Sequence, residues 1–448
     1  MGEKIISGFS KLSKEEKIDW LVCTFSDQNV ETKKVLSEFW QDDADLQRVL
    51  DGFSENTISN YVMPFGIAPN MVINDRVYAV PMVIEESSVV AAASSAAKFW
   101  MKRGGFRTEV RSTKKLGQLH FSWSGDVNKL REVFPTLEEK LRTETAHLTA
   151  NMEKRGGGIR EIELIDFSDQ EPDYYQLRVA FETCDSMGAN FINSVLEAFG
   201  QSLQSFVATH SIFTDEERSL EVIMAILSNY TPECIVRAWV ECPVAHLEHA
   251  CKDMDATTFA EKFRKAIRIA EIDPYRATTH NKGIFNGIDA VVLATANDFR
   301  AIEACGHTYA SKDGQYASLS HCTVENGVFK FWLDLPLAVG TVGGLTKLHP
   351  LAKLSLELLG SPSAKELMSI IAAAGLAQNF AAVRSLITTG IQQGHMKMHL
   401  MNILNHLSAN EKEQRAAVKH FETEVVSFSS VRTFLSNIRS SNGVLAHE

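Results

Sequence analysis

Little in this chain commits it to a membrane, a nucleic acid, a metal or a disulfide framework. Its seven cysteines in 448 residues (Cys23, Cys184, Cys234, Cys242, Cys251, Cys305, Cys322) are odd in number and scattered. They form no CxxC pair, which excludes a zinc ribbon or a dithiol redox centre and leaves reduced thiols. Long basic runs are absent as well: 45 Lys+Arg against 56 Asp+Glu give a net charge of −11, and nothing here would track a phosphate backbone. No run approaches the roughly 18 consecutive apolar residues of a membrane span, and the opening residues lack the apolar core of a signal peptide. A cytoplasmic protein with neither nucleic-acid nor membrane partners is expected. The GxGxxG fingerprint is also missing: neither GGG at 156–158 nor VGTVGG at 339–344 fits it, so a Rossmann fold is not supported. Alone, each glycine cluster reads as an ordinary turn.

What is present is enough for two or three domains, because 448 residues exceed the size at which one core keeps growing. Residues 10–60 carry helical spacing and many charges. VYAVPMVI (77–84) reads as a short buried strand and EESSVVAAASSAAKFW (85–100) as an alanine-rich helix, which puts Glu85 and Glu86 at a strand-to-helix junction. From about residue 113 the character changes: LGQLHFSWSG reads as a strand, a charged helix follows, GGG breaks it, and GIREIELIDF begins another strand. This alternation predicts an α+β protein with a smaller domain inserted in a larger one. The helical pattern is expected to return near residue 220. Residues 259–305 read as a helix, a polar loop around THNKG, a strand and a further helix, and the tail beyond His395 is polar and helical.

Several side chains in this layout bear chemistry. Of two neighbouring glutamates at a junction, one can face a cleft, although acids at a helix start are also explained by the helix dipole. Lys282 is flanked by His280, Asn281 and Gly283, an unusual setting for a merely solvated lysine. Asn297 or Asp298, after the apolar run AVVLAT, caps a helix, and capping is compatible with catalysis. His395 and His399 share a helical face, but no HExxH or third ligand accompanies them, so no metal is expected.

Taken in order, ENTISNYVMPFGIAPNMVIND (55–75), VPMVIEESSVVAAAS (80–94), CDSMGANFIN (184–193), DPYRATTHNKGIFNGIDAVVLATAND (273–298), VGTVGGLTKLHP (339–350), GLAQNFAAVRSL (375–386) and GIQQGHM (390–396) resemble the class II, bacterial-type 3-hydroxy-3-methylglutaryl-CoA reductases. The resemblance spans roughly residues 40–400. It implies that Glu86 is the catalytic acid, Lys282 the cation, Asp298 a bridge between them, and His395 the proton donor to the departing thiolate. Arg276 and Asn286 match positions that contact the acyl substrate or organise the lysine, while Asp185, Met187, Gly188, Ala189 and Asn190 match the dinucleotide signature. Chemically, reducing a thioester to an alcohol takes two hydrides and makes the oxygen negative each time, so a fixed cation and a proton donor are both required. An imidazole suits the capping of a thiolate.

The match departs from the family pattern at Ser87 (commonly Pro), at Ala296 (commonly Gly in TGND) and at Leu345 (commonly small). Ala150 aligns where NAD-preferring relatives place a ribose-binding aspartate, so NADPH or dual use of NADPH and NADH is expected, with Lys154 and Arg155 within reach of an added phosphate. The resemblance further implies a large substrate-binding domain (1–112 and 220–391), an inserted small dinucleotide-binding domain (113–219), and a C-terminal helical flap (392–448). The expected partners are hydroxymethylglutaryl-CoA, mevalonate, coenzyme A and a second copy of the chain, as a homodimer or an assembly of dimers. A non-catalytic regulator binding coenzyme A or a nucleotide would be favoured by loss of a catalytic residue type, and none is lost. An acyltransferase using Cys184 or Cys305 lacks a recognisable Cys/His constellation.

Overall fold

The computed structural model describes residues 4–27, 29–250, 253–388, 400–422 and 424–444. The chain opens with α1 (Lys14–Phe25), α2 (Asn29–Glu38) and α3 (Ala44–Asp51). Ser13 and Glu16 form a capping box on α1, and Asp43 caps α3. A hairpin follows, β1 (Phe65–Ile73) against β2 (Arg76–Val83), closed by Asn74 and Asp75 at positive φ, the two-residue turn whose twist suits antiparallel strands. Beyond β2, residues 84–88 lead into α4 (Val89–Met101), and β3 (Arg107–Val110) ends this first part.

A separate core then forms. β4 (Lys115–Ser122), α5 (Val127–Glu153), β5 (Gly158–Asp166), β6 (Tyr174–Glu182), α6 (Ala189–Thr209) and β7 (Glu221–Leu227) build an antiparallel sheet of order β5-β6-β4-β7, the split βαβ arrangement. Its helices bury Leu119, Phe121, Leu177, Phe181, Leu196 and Phe199. Gly117 lets α6 lie tight on the sheet, because a Cβ there would come within 2.6 Å of Leu196 Cδ1. The sheet runs past the expected boundary at 219: β7 pairs with β4 along Gly117–Ser122. The return of helix expected near 220 is likewise corrected, since β7 and β8 (Ile235–Pro243) occupy that stretch and helix resumes only at α7 (Ala256–Ile272).

The larger core holds the sheet β3-β8-β10-β9, with β9 (Ser320–Glu325) and β10 (Val328–Pro336). Packed around it are α7, α8 (Pro274–Ala294), α9 (Phe299–Ala310) and α12 (Ala364–Ile387), while α10 (Leu345–Leu348) lies against α11 (Pro350–Leu358), which packs on β2 and α8. α12 is long and apolar enough to cross a membrane by length and composition, but most of it is buried inside the molecule, and that burial accounts for its composition.

The polar loop and strand read from residues 273–294 are instead one helix, α8. Asp273 caps it, Pro274 starts it, and its interior glycines serve packing: a Cβ on Gly287 would lie 2.7 Å from Ala374 O of α12. The residues that looked loop-like fasten it. His280 Nε2 lies 2.7 Å from Ser320 Oγ, while the Asn281 side chain donates to Ala317 O at 2.9 Å and accepts from Leu319 N at 3.0 Å. Tertiary contacts have overridden local propensity here. The tail forms a third small core around Leu404, Ala417, Phe421 and Val431, built from helical residues 400–406 and the helices Glu411–His420 and Phe428–Val444.

Candidate active site

Glu86 and Lys282, 196 positions apart, meet directly. The Lys282 ammonium pairs with Glu86 Oε2, and Asn286 Nδ2 donates to the same oxygen at 3.3 Å. Lys282 and Asn286 are one helical turn apart and so share a face of α8. Of the two neighbouring glutamates, Glu85 is exposed and Glu86 is the one turned to the lysine. With side-chain exposures of 59% for Lys282 and 35% for Glu86, such a pair contributes at most about 1 kcal/mol to stability, so its interest is chemical. An ammonium oriented by a carboxylate that an amide also holds is placed to stabilise a developing oxyanion.

Asp298 is occupied differently. It caps α9, accepting from Arg300 N at 3.1 Å and Ala301 N at 3.2 Å, and its Oδ1 also takes Arg300 Nε at 3.2 Å. Burial alone would raise its pKa, but the Arg300 side chain and these amides together hold it below the usual value. Among the described residues no hydrogen bond or ion pair joins Asp298 to Glu86 or Lys282. Ala296, two residues earlier, has φ 52° and closes α8 with Ala296 N–Leu293 O (3.0 Å) and Asn297 N–Val292 O (2.9 Å). This helix end normally takes glycine, the residue that the family pattern has there. Arg276 lies six residues before Lys282 and therefore about 120° away around the helix; burial lowers its pKa. Among the described residues no hydrogen bond or ion pair joins it to the pair. His395 and His399 lie outside the described residues.

The dinucleotide signature sits at the tip of the second core. Gly188, at φ 94°, opens α6, and a Cβ on it would lie 2.5 Å from Thr183 Cγ2. The loop before it is pinned from three sides. Lys115, only 4% exposed, donates to Thr183 Oγ1 at 2.6 Å and Ser186 O at 2.7 Å. Asp185 Oδ1 accepts from Ala364 N at 2.7 Å, and Asp185 O from Thr341 N at 2.8 Å. Gly340 packs so closely that a Cβ would fall 2.5 Å from Met187 N, and its own N–H donates to Asn297 Oδ1 at 2.8 Å. A continuous chain of contacts thus runs from the signature, through the 339–344 turn, to the residue beside Asp298. No motif marks Lys115, while Asn297 and Gly340 lie in the segments 273–298 and 339–350 but read there only as a helix cap and part of a glycine turn. Ala150 lies on α5, partly exposed, four residues before the capping Lys154.

A cleft of about 730 Å³ opens between the N-terminal helices and α11, lined by Phe53, Tyr61, Phe65, Val83, Leu293, Ala296 and His349. Val83 is three residues from Glu86 and Ala296 two from Asp298. Its size is that of a small-ligand pocket. Among the described residues no group of three or more His, Cys, Asp or Glu is placed to hold a metal.

An ammonium–carboxylate pair that shares its oxygen with an amide, and a glycine-opened helix on the second core, suit an enzyme site, and comparison with known proteins makes this specific. The family model for hydroxymethylglutaryl-coenzyme A reductase matches residues 15–400, and the chain belongs to that family. The 3-hydroxy-3-methylglutaryl-coenzyme A reductase of Archaeoglobus fulgidus is 36% identical over 404 residues, 89% of this chain and 86% of that protein. The probable reductase of Borreliella burgdorferi is 33% identical over 401 residues, 88% and 89% of the two chains. Within the family the likeness is to class II. A class II reductase from Streptococcus pneumoniae bound to NADPH in open conformations superimposes with a TM-score of 0.69 at 36% identity, covering 86% of this chain and all of that one. A second structure of the reductase from that organism gives 0.70 at 35% identity, covering 97% of this chain.

Proposed function

We propose that this protein interconverts (S)-3-hydroxy-3-methylglutaryl-CoA and mevalonate plus coenzyme A at the Glu86–Lys282–Asn286 cluster, whose convergence carries the reading. Gly188 and Gly340 let the loop pack closely against Thr183 and the 339–344 turn, and in this reading a dinucleotide lies against the start of α6, where N–H groups favour its phosphates. When bound, NADPH or NADH supplies a hydride in each of two reductions. Lys282 stabilises the negative oxygen that each reduction creates. Glu86 gives that oxygen its proton. Asp298, held at the start of α9 by its cap and Arg300, is the third charged group of this reading, and His395 protonates the coenzyme A thiolate released between the two steps. Arg276 and Asn286 bind the acyl group and orient the lysine respectively.

The split-βαβ unit, including β7, is the cofactor domain in this reading, the larger core is the substrate domain, and the segment from 392 is the flap. Exposed Tyr61, Leu348, Leu351 and Leu354 support a homodimer. Cytoplasmic location and NADPH or dual cofactor use complete the reading, the latter because Ala150 offers no carboxylate to repel a 2′-phosphate. The test is cofactor oxidation with hydroxymethylglutaryl-CoA by wild type and Glu86→Gln. Removing the proton donor while keeping its shape is expected to lower kcat by about 100-fold or more. A Glu86→Gln variant as fast as wild type would take Glu86 out of the mechanism.

A further inference from the structure

At the corner between α8 and α9 stands a side chain to which the reaction above gives no task. Asn297 is partly buried, closes the end of α8 with its own N–H on Val292 O, and immediately precedes Asp298. The two ends of its amide are used in opposite directions. Nδ2 donates back into the corner, to Thr295 O at 3.3 Å and Thr295 Oγ1 at 3.2 Å. Oδ1 accepts from Gly340 N at 2.8 Å, the shortest of the three bonds and the one that leaves the corner. Acceptors on one side and a donor on the other fix which way the amide faces.

Gly340 passes this constraint to the second core. Thr341 N and Val342 N both donate to Asp185 O, at 2.8 and 3.3 Å. Gly340 itself lies flat on the 186–187 backbone, where a Cβ would fall 2.5 Å from Met187 N and 3.0 Å from Ser186 C. The 339–344 turn therefore cannot move relative to Asn297 without displacing residues 185–187. We propose that Asn297 is a positioning residue whose amide, through Gly340, holds the dinucleotide loop at a fixed distance from Asp298 and the end of α8. The proposal rests on the reading of residues 185–190 as the dinucleotide site and of Asp298 as a participant in the reaction. Hydride transfer needs its reacting atoms about 3–3.5 Å apart, and a displacement of about 1 Å that begins far from the chemistry costs about 100-fold. A residue that sets this distance leaves both substrates bound and slows the chemical step.

The test uses the full chain. Asn297→Leu keeps the bulk of the side chain and loses all three bonds, while Thr295→Val alters the same corner and leaves Oδ1 on Gly340. With hydroxymethylglutaryl-CoA and NADPH both saturating, Asn297→Leu is expected to lower the single-turnover rate of cofactor oxidation by about 30-fold. KM for each substrate should change by less than about threefold, and Thr295→Val should stay within about threefold of wild type throughout. A loss confined to KM, an undiminished single-turnover rate, or an equal loss in Thr295→Val overturns the proposal. Asn297→Ala, which loses the same bonds, replaces the leucine variant if that chain does not fold. Hydrogen exchange read by mass spectrometry checks the tie without turnover: amides at 339–344 and 183–188 should exchange faster in Asn297→Leu than in wild type or Thr295→Val. Unchanged protection of 183–188 contradicts the relay. A wild type that oxidises no cofactor with hydroxymethylglutaryl-CoA counts against the catalytic reading, while the exchange comparison still judges the relay.

Discussion

On α8, Lys282 and Asn286 reach Glu86 from a helix whose other faces are sunk against α12 and the β9 region, whereas the 183–188 loop is irregular backbone held by hydrogen bonds from other elements. The first arrangement is positioned by packing: Gly287 and Gly375 let the two helices approach, with a Cβ on Gly375 only 2.8 Å from Ile288 Cγ1. The second is positioned by a buried ammonium and by the backbone N–H groups of Thr341 and Ala364. A catalytic group on a packed helix can lose its head group without disturbing the scaffold, because its charge makes little contribution to the fold. A loop that relies on one buried lysine cannot, because removing that lysine leaves Thr183 Oγ1 and Ser186 O with only their bond to each other.

The largest expected effect breaks the acyl side alone. With Lys282 as the proposed oxyanion stabiliser, Lys282→Ala should lower kcat by about 100- to 1000-fold, with melting behaviour and NADPH binding retained. Steady-state kinetics and calorimetry check this, and activity close to wild type would sever the ion pair from catalysis. A smaller effect falls on the cofactor side. Lys115→Met deprives Thr183 Oγ1 and Ser186 O of their shared donor and should raise KM for NADPH about tenfold while kcat at saturation changes less. A loss confined to kcat would show that the loop does not depend on Lys115. Burial also lowers the pKa of Lys115, the mark of a charge kept for its hydrogen bonds rather than for solvation.

The contrast between packing and hydrogen bonding also explains what could be read from the sequence. Glu86, Lys282 and Asn286 lie in long motifs whose order matches a family, and the junction holding Glu86 was visible as a strand followed by an alanine-rich helix. The helical state of Lys282 was not visible. Thr278, His280, Asn281 and two glycines look like a loop locally, and only Ser320, Ala317 and α12, distant in sequence, supply the partners that make a helix of them. Asp298 as a cap was legible because capping is local. Lys115 was not, since nothing near it in sequence announces a partner 68 positions away. β8 and β10 were missed for a related reason: they pair with each other across an interval containing three helices.

The smallest expected effect sharpens the view of the acyl side. Ala296 occupies a left-handed position at the end of α8, where a side chain costs about 1 kcal/mol relative to glycine. Ala296→Gly should therefore stabilise the protein by about that amount in urea denaturation, and a destabilised variant would mean that the Ala296 methyl, which lines the apolar cleft, packs better than its backbone is strained.

The central claim is that one site performs two reductions of a thioester with Lys282 and Glu86 serving both. It is tested most directly by the stoichiometry of a single reaction: purified protein, limiting hydroxymethylglutaryl-CoA and excess NADPH, with cofactor oxidised, free thiol and mevalonate all counted. The account predicts two NADPH oxidised and one thiol released for each mevalonate formed. Thiol release without cofactor oxidation, or one cofactor oxidised with mevaldehyde accumulating as the end product, would contradict it.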